Sequence, residues 1–156
     1  MESRFATLDD LPTFRKLWSA YLVEQHELGS PVLPSEKNLE VFERVFRHYV
    51  SPSPEFPGVV VMVDDAAVFM AGAVGEVFET ALGRVASGHG TYVVPDARRL
   101  GLSAAVRESA FVRLRELGFS VVTGVTVVGN DAGAASVEKL GFRKHATQWM
   151  FDLKEQ

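Results

Sequence analysis

Residues 93–103 read Val-Val-Pro-Asp-Ala-Arg-Arg-Leu-Gly-Leu-Ser, and the remainder of the chain can be organised around them. A β-branched run ends at a proline, and a short basic loop leads directly into an amphipathic helix. This order predicts that Gly101 and a cluster of backbone N–H groups lie at a helix N-terminus beside Arg98 and Arg99. A helix N-terminus has unpaired N–H donors and a partial positive charge, so it can receive a phosphate or pyrophosphate. The stretch therefore points to a phosphate-bearing cofactor.

The segments on both sides of this loop read as helices and strands in a regular order. Apolar residues at helical spacing predict helices over Asp9–Leu28, Ser35–Val50, Leu100–Leu117 and Asp131–Leu140. In the second helix the apolar face consists of Leu39, Phe42, Val45, Phe46 and Tyr49. β-Branched or alternating runs predict strands at residues 3–7, Val59–Val63, Val68–Phe78, Arg84–Val94 and Val121–Val128, with one or two more in Phe142–Leu153. The resulting order, β-α-α-β-β-β-α-β-α-β-β, indicates an α/β (α+β) fold in which helices flank a mixed sheet.

Composition narrows the class of protein. With 156 residues, 47% of them hydrophobic and 23% charged, we expect a single globular domain spanning residues 1–156. The net charge of −4, without a basic stripe, argues against a nucleic-acid partner. The absence of cysteine excludes disulfides, thiolate metal sites and a cysteine nucleophile, and we expect no metal site. No stretch of the sequence is typical of a signal peptide or membrane span, so we expect a cytoplasmic protein that does not bind membranes.

Two blocks of sequence resemble the GNAT superfamily of N-acetyltransferases. That family's cofactor motif, Arg/Gln-x-x-Gly-x-Gly/Ala after a strand, is matched by Arg98–Ser103, with Val93–Pro95 upstream. A second block with the family's usual intervals consists of Asn130, Lys139, Gly141 and Phe142. The two blocks together are much more specific than either short pattern. The resemblance implies a GNAT-like, mostly antiparallel central sheet flanked by about four helices, and acetyl-CoA as the cofactor.

The resemblance also implies which residues bind acetyl-CoA. The pyrophosphate is expected at the backbone and side chains of Arg98, Arg99, Leu100, Gly101, Leu102 and Ser103. Ser103 departs from the family's glycine or alanine, but it is also small. The pantetheine arm is expected along the backbone of Tyr92, Val93 and Val94, where the N–H of Val93 would polarise the thioester carbonyl. Asn130 would contact the cofactor or, alternatively, serve as the N-cap of the helix that follows it.

The general base is not indicated by a motif. Family members often have a carboxylate on the strand that corresponds to Arg84–Val94, and this chain has none there. His89 is the leading candidate, because an imidazole titrates near neutral pH; a lone histidine is, however, more often structural. Glu76 and Glu79 on the preceding strand compete with it. The glycines that flank His89 suggest a bulge or the close approach of a ligand.

The usual general acid of the family is missing. A tyrosine often occupies the seventh position after the helix-opening asparagine, and here that position is Val137. Ser136, Tyr92 or water would then have to protonate the leaving thiolate. Because of this departure, two hypotheses remain: the protein is an acyl-CoA-dependent N-acyltransferase, or it is a CoA-binding regulatory module that has lost turnover. A nucleotide-phosphate binder is disfavoured, because the P-loop Gly-Lys-Ser/Thr is absent.

The acceptor is expected to be a primary amine of a small molecule or peptide. Carboxylates near the joint between the first two helices would attract it, and the candidates are Glu24, Glu27 and Glu76, with His26 and Glu36 as further choices. Tyr21 or Trp149 would provide an apolar wall. The alternative is that these charges only solvate exposed helix faces. Related proteins are often homodimers, and the apolar Trp149–Phe151 end is either an interface or a last core strand.

Overall fold

The computed structural model describes residues 2–51, 53–73 and 80–155. Its strands are β1 (Arg4–Phe5), β2 (Gly58–Val63), β3 (Ala67–Gly72), β4 (Val85–Val93) and β5 (Val121–Thr123). Its α-helices are α1 (Leu11–Glu27), α2 (Glu36–Val50), α3 (Leu102–Glu116) and α4 (Asp131–Lys139). Each of the four predicted helices is present, with boundaries displaced by a few residues at most.

The strands form one sheet in the order β1-β2-β3-β4-β5. The pairs β1–β2, β2–β3 and β3–β4 are antiparallel, and β4–β5 is parallel. The predicted mixed, mostly antiparallel sheet is therefore confirmed. β2 and β3 are buried along their whole length, because helices cover both faces of the sheet.

Each face of the sheet has its own hydrophobic core. On one face, α1 and α2 pack against alternate residues of β2 and β3, with Trp18, Phe14 and Phe46 fully buried. On the other face, α3 packs against the intervening residues through Val106, Ala110 and Leu114. Because successive side chains of a strand point to opposite faces, the apolar runs of β2 and β3 supply both cores.

α2 begins at Glu36, one residue after the predicted start at Ser35. Ser35 is its N-cap, and the Ser35 Oγ accepts a hydrogen bond from the Asn38 N–H at 3.2 Å. A serine at this position satisfies one of the free N–H groups of the first turn.

The prediction of strands within Phe142–Leu153 is wrong. The structure describes no strand there, only a 3-10 turn at Leu153–Glu155. The strand predicted over Val121–Val128 ends at Thr123. A strand is stabilised by pairing and by burial of one face, and β5 offers only three residues to a further strand. The apolar Trp149, Met150 and Phe151 are accordingly 88%, 87% and 71% exposed.

Of the two alternatives suggested by the glycines flanking His89, the structure has the bulge, which lies in β4. In its pairing with β3, Met70 is opposite Gly90 and Ala71 is opposite Gly88, so His89 is an extra residue without a partner. A bulge of this kind bends the strand and redirects a side chain. The candidate site is built around this position.

Candidate active site

The loop before α3 has the geometry that an anion site requires. Gly101 is the N-cap residue with a φ of 78°, and Arg99 also has a positive φ of 65°. The first helical hydrogen bond runs from the Ala105 N–H to the Gly101 carbonyl at 3.0 Å, so the N–H groups of the first turn have no partner within the helix. No side chain caps this end among the residues that the structure describes. The exposed N-terminus of α3 can therefore accept a negatively charged group.

Gly101 is required by its backbone conformation and not by packing. A Cβ atom added there would have no neighbour within 4 Å. The left-handed conformation nevertheless favours glycine, since other L-residues adopt it at a cost. The open space beside Gly101 leaves the backbone accessible to a ligand.

Arg98 connects the loop before α3 to α1. Its Nε donates to the Val93 carbonyl at 2.9 Å, and its Nη2 forms an ion pair of 2.5 Å with the Glu24 carboxylate on α1. The guanidinium also lies over the Tyr92 ring, 5.8 Å from its centroid. The structure thus brings together Arg98, assigned from the sequence to the cofactor, and Glu24, assigned to the acceptor.

β4 has a free edge beside this loop. The Val94 N–H donates to the Ala66 carbonyl in the turn before β3, so strand alternation directs the N–H and C=O of Val93 to the opposite side. The bond from Arg98 to the Val93 carbonyl agrees with this direction. On that side β5 pairs only with the first part of β4, over Val85–Ser87. Beyond it, no described strand faces β4, and the Val93 N–H is available to a ligand.

His89 is hydrogen-bonded to Tyr49 on α2. The His89 Nε2 and Tyr49 Oη atoms are 2.8 Å apart, and the two rings lie 5.6 Å from each other. Burial lowers the pKa of the His89 imidazole, which is therefore neutral at neutral pH. Burial also raises the pKa of the Tyr49 phenol far above its usual range, so Tyr49 stays protonated. If the Nε2–H donates to Tyr49, the lone pair of His89 Nδ1 is free to accept a proton.

Two glycines make room for Tyr49. Gly58 and Gly72 are paired across β2 and β3, and a Cβ atom on either would overlap the Tyr49 ring. The sequence assigned Tyr49 only to the apolar face of α2. A glycine at each of two paired positions in otherwise apolar strands is the sequence feature that fits the close approach of this ring to the sheet.

A second tyrosine and a partly buried arginine also contact β4 beside the bulge. The Tyr21 ring lies where a Cβ atom at position 90 would be, so only glycine fits there. The Tyr21 hydroxyl donates to the His89 carbonyl at 3.3 Å. The Arg107 Nε on α3 donates to Thr91 Oγ1 at 3.0 Å, while its Nη1 is buried without a hydrogen-bond partner. Burial raises the pKa of Tyr21 and lowers that of Arg107. Sequence reasoning missed Arg107, because a single arginine within an amphipathic helix resembles a solvated residue.

The remaining assigned residues lie at varying distances from this cluster. Asn130 is the N-cap of α4, and its Oδ1 accepts from the Gly133 N–H at 3.0 Å, which confirms the capping role. Glu27 and Trp149 are exposed and Val137 is partly buried. Glu36 is engaged in an ion pair with Arg15.

Two of the sequence assignments fall outside the described residues. These are Glu76, proposed both as a base and as an acceptor residue, and Glu79. Among the residues that are described, no cluster of three or more His, Asp or Glu side chains is suited to a metal ion. No described helix combines the length and apolar character needed to span a bilayer.

Comparison with known proteins identifies the fold. No family model and no curated protein matches the chain. The apo aminoglycoside 6'-N-acetyltransferase AAC(6')-IG from Acinetobacter haemolyticus is 17% identical, with a TM-score of 0.69 over 97% of each chain. AAC(6')-Iy, solved in complex with the bisubstrate analogue CoA-S-monomethyl-acetylneamine, is 12% identical, with a TM-score of 0.67 over 97% of this chain and 96% of that one. A mutant protein from Bacillus halodurans is 16% identical, with a TM-score of 0.77 over 98% and 99%. The chain therefore has the GNAT fold, as the sequence resemblance predicted.

Proposed function

We propose that this protein is an acyl-CoA-dependent N-acyltransferase that transfers an acyl group, in the simplest case acetyl, to a primary amine. The observation that carries the proposal is that the N-terminus of α3 and the unpaired edge of β4 lie next to each other. An uncapped helix N-terminus with a left-handed glycine adjoins the free edge of β4. The first suits a pyrophosphate and the second suits an extended amide-bearing arm.

The residues that would hold acetyl-CoA follow from this junction. Leu100–Ser103 would bind the pyrophosphate through backbone N–H groups, with Arg98 and Arg99 adding charge-assisted contacts. The arm would pair with the backbone of β4 over Tyr92–Val94, with its thioester end directed towards lower residue numbers. When bound, the thioester supplies an activated acyl carbonyl. The N–H of Val93 points to the side where it can stabilise the negative oxygen that develops there.

His89 is proposed as the general base. Its pKa is lowered by burial, so the neutral form needed to accept a proton is the resting form. Tyr49 fixes the orientation of the imidazole through Nε2, and Nδ1 would receive the proton that the attacking amine loses. Tyr49 is a positioning residue in this scheme, since it acts through His89.

The acceptor is proposed to be a primary amine of a small molecule or peptide, which attacks directly, in its neutral form, in a ternary complex. The chain has no cysteine to form a covalent thioester intermediate. Glu24 is the proposed acceptor carboxylate, with Glu27 and Glu76 as further candidates. Because Glu24 is paired with Arg98, a pyrophosphate that attracts Arg98 would release the Glu24 carboxylate for the amine. This coupling favours binding of the acyl donor before the acceptor.

The first experiment is a calorimetric titration with acetyl-CoA, with ADP titrated in parallel. Tight binding of acetyl-CoA and much weaker binding of ADP would support the cofactor assignment. Absence of acetyl-CoA binding, or equal binding of ADP, would overturn it. The variant Gly101→Glu should abolish binding, because a carboxylate would then occupy the anion site.

Turnover separates the enzyme from the alternative of an inactive CoA-binding module, which the valine at position 137 keeps open. Thiol release from acetyl-CoA would be followed over a panel of amines. Release that depends on the amine and falls in His89→Gln supports the enzyme. Binding without amine-dependent release by the wild type would support the module.

A further inference from the structure

The guanidinium of Arg107 is partly buried, and no described carboxylate forms an ion pair with it. Two buried side-chain nitrogens lack a hydrogen-bond partner in the described chain, Trp18 Nε1 and Arg107 Nη1, and only the second belongs to a charged group. The other described arginines are exposed or bonded. Five of them are ion-paired with carboxylates, namely Arg4, Arg15, Arg47, Arg98 and Arg113. Arg84 donates to the Leu117 carbonyl.

The neighbours of Arg107 do not balance its charge. Thr91 accepts one hydrogen bond from Nε, and it is neutral. Tyr21 interacts electrostatically with the guanidinium, but burial raises the pKa of its phenol, so it is neutral too. A partly buried cation without a counter-charge destabilises the folded state unless a ligand pairs with it. An anionic ligand would satisfy both the charge and the free Nη1.

The position of Arg107 matches one part of the proposed acyl donor. In the proposed function, the pantetheine arm runs along β4 from the loop towards lower residue numbers, and Val93 faces the thioester carbonyl. Thr91, which Arg107 contacts, is two residues further along, or roughly 7 Å at the usual rise of a strand. An acyl chain that extends past the thioester carbonyl would therefore approach the Arg107 guanidinium.

We propose that Arg107 is a specificity-determining residue that selects an acyl group ending in a carboxylate, such as a short dicarboxylic acyl-CoA. This inference rests on the proposed acyltransferase function. A neutral acetyl group leaves the guanidinium unpaired, whereas a terminal carboxylate forms charge-assisted hydrogen bonds with it. The transfer itself is the same: the C–N bond forms, the C–S bond breaks, the amine proton passes to His89 and the thiolate takes a proton from water. The terminal carboxylate binds and does not react.

The test compares the dissociation constants of succinyl-CoA, acetyl-CoA and free CoA for the wild type and three variants. We expect the wild type to bind succinyl-CoA about 10- to 100-fold more tightly than acetyl-CoA. Arg107→Met should remove this preference and leave acetyl-CoA binding intact, while Arg107→Lys should retain part of it. Arg113→Met, which changes an arginine on the same helix that pairs with Glu116, is the matched control and should retain the whole preference.

The outcomes separate this inference from the proposed function. Equal affinity of the wild type for succinyl-CoA and acetyl-CoA overturns the role of Arg107 and leaves the acyltransferase proposal standing. If Arg107→Met loses affinity equally for all three ligands, the role of Arg107 in acyl selection is also overturned, since Arg107 would then contact the CoA part that the ligands share. Absence of binding for every CoA compound refutes the proposed function and the inference together. If Arg107→Met does not fold, the wild-type preference and the Arg107→Lys variant still decide the question.

Discussion

Replacement of Tyr49 by phenylalanine tests the hydrogen bond on which the orientation of His89 depends. The Tyr49 side chain is 2% exposed, and its hydroxyl lies 2.8 Å from His89 Nε2. Phenylalanine keeps the ring that fills the space above Gly58 and Gly72, so the packing of α2 on the sheet should not change. What is lost is one buried hydrogen bond, and the histidine nitrogen is left without a partner. The expected cost is about 1–3 kcal/mol of unfolding free energy.

For a domain of this size, that cost corresponds to a fall in Tm of about 2–12 °C. The assay is urea unfolding followed by far-UV circular dichroism near neutral pH, with the m-value compared between variants. Tyr21→Phe is the matched control, because its hydroxyl makes only a bond of 3.3 Å to the His89 carbonyl and should cost less. Equal stabilities of Tyr49→Phe and the wild type would refute the buried bond. So would a larger loss in Tyr21→Phe than in Tyr49→Phe.

Three further predictions concern pH, the cofactor loop and the Arg98–Glu24 ion pair. Burial lowers the pKa of His89 in the folded protein below the 6.5 of an ordinary imidazole. Between the folded and the unfolded pKa, the unfolded chain therefore binds more protons than the folded one. The unfolding free energy should therefore fall as the pH drops below about 6.5, and denaturant titrations of His89→Gln should show a shallower fall. Gly101 has a φ of 78°, so Gly101→Ala should lower the unfolding free energy by about 1–2 kcal/mol in denaturant titrations and should also weaken acetyl-CoA binding. The control is Gly29→Ala, at a φ of 108°, which should lower stability without changing acetyl-CoA binding. Glu24→Gln should free Arg98 and tighten acetyl-CoA binding up to about fivefold in calorimetry, since a partly exposed ion pair contributes about 0–1 kcal/mol. Weaker binding would contradict the idea that Glu24 and the pyrophosphate compete for Arg98.

Local signals in the sequence predicted most of the fold. The helical spacing of apolar residues, the serine at position 35 and the loop before α3 depend on interactions within a few residues, and the structure reproduces them. The bulge was one of two alternatives that the glycines flanking His89 suggested, because glycine is unfavourable in a regular strand. The GNAT resemblance added the mostly antiparallel arrangement, which periodicity alone does not specify.

The wrongly predicted final strands and the missed contacts of Tyr49 and Arg107 have one physical reason: both depend on residues distant in sequence. A strand pattern in Phe142–Leu153 forms a strand only if an adjacent strand offers its edge, and β5 is too short to do so. Tyr49 and His89 are separated by 40 positions, and neither the spacing nor the composition of α2 indicates their contact. Arg107 gives no sequence signal, because its burial is produced by the packing of α3 beside the bulge.

The same irregularity of β4 explains why the candidate site lies where it does. The bulge removes His89 from the ladder with β3, and the early end of β5 leaves the far side of Val93 unpaired. A regular, fully paired strand would have buried those backbone groups in the sheet and left none for a ligand. The cost of this irregularity is offset by Tyr49, which fills the space above two glycines and binds His89. Arg107 has no comparable partner for its Nη1 in the described chain, and this contrast with the satisfied Tyr49–His89 pair is the reason for proposing that a ligand completes it.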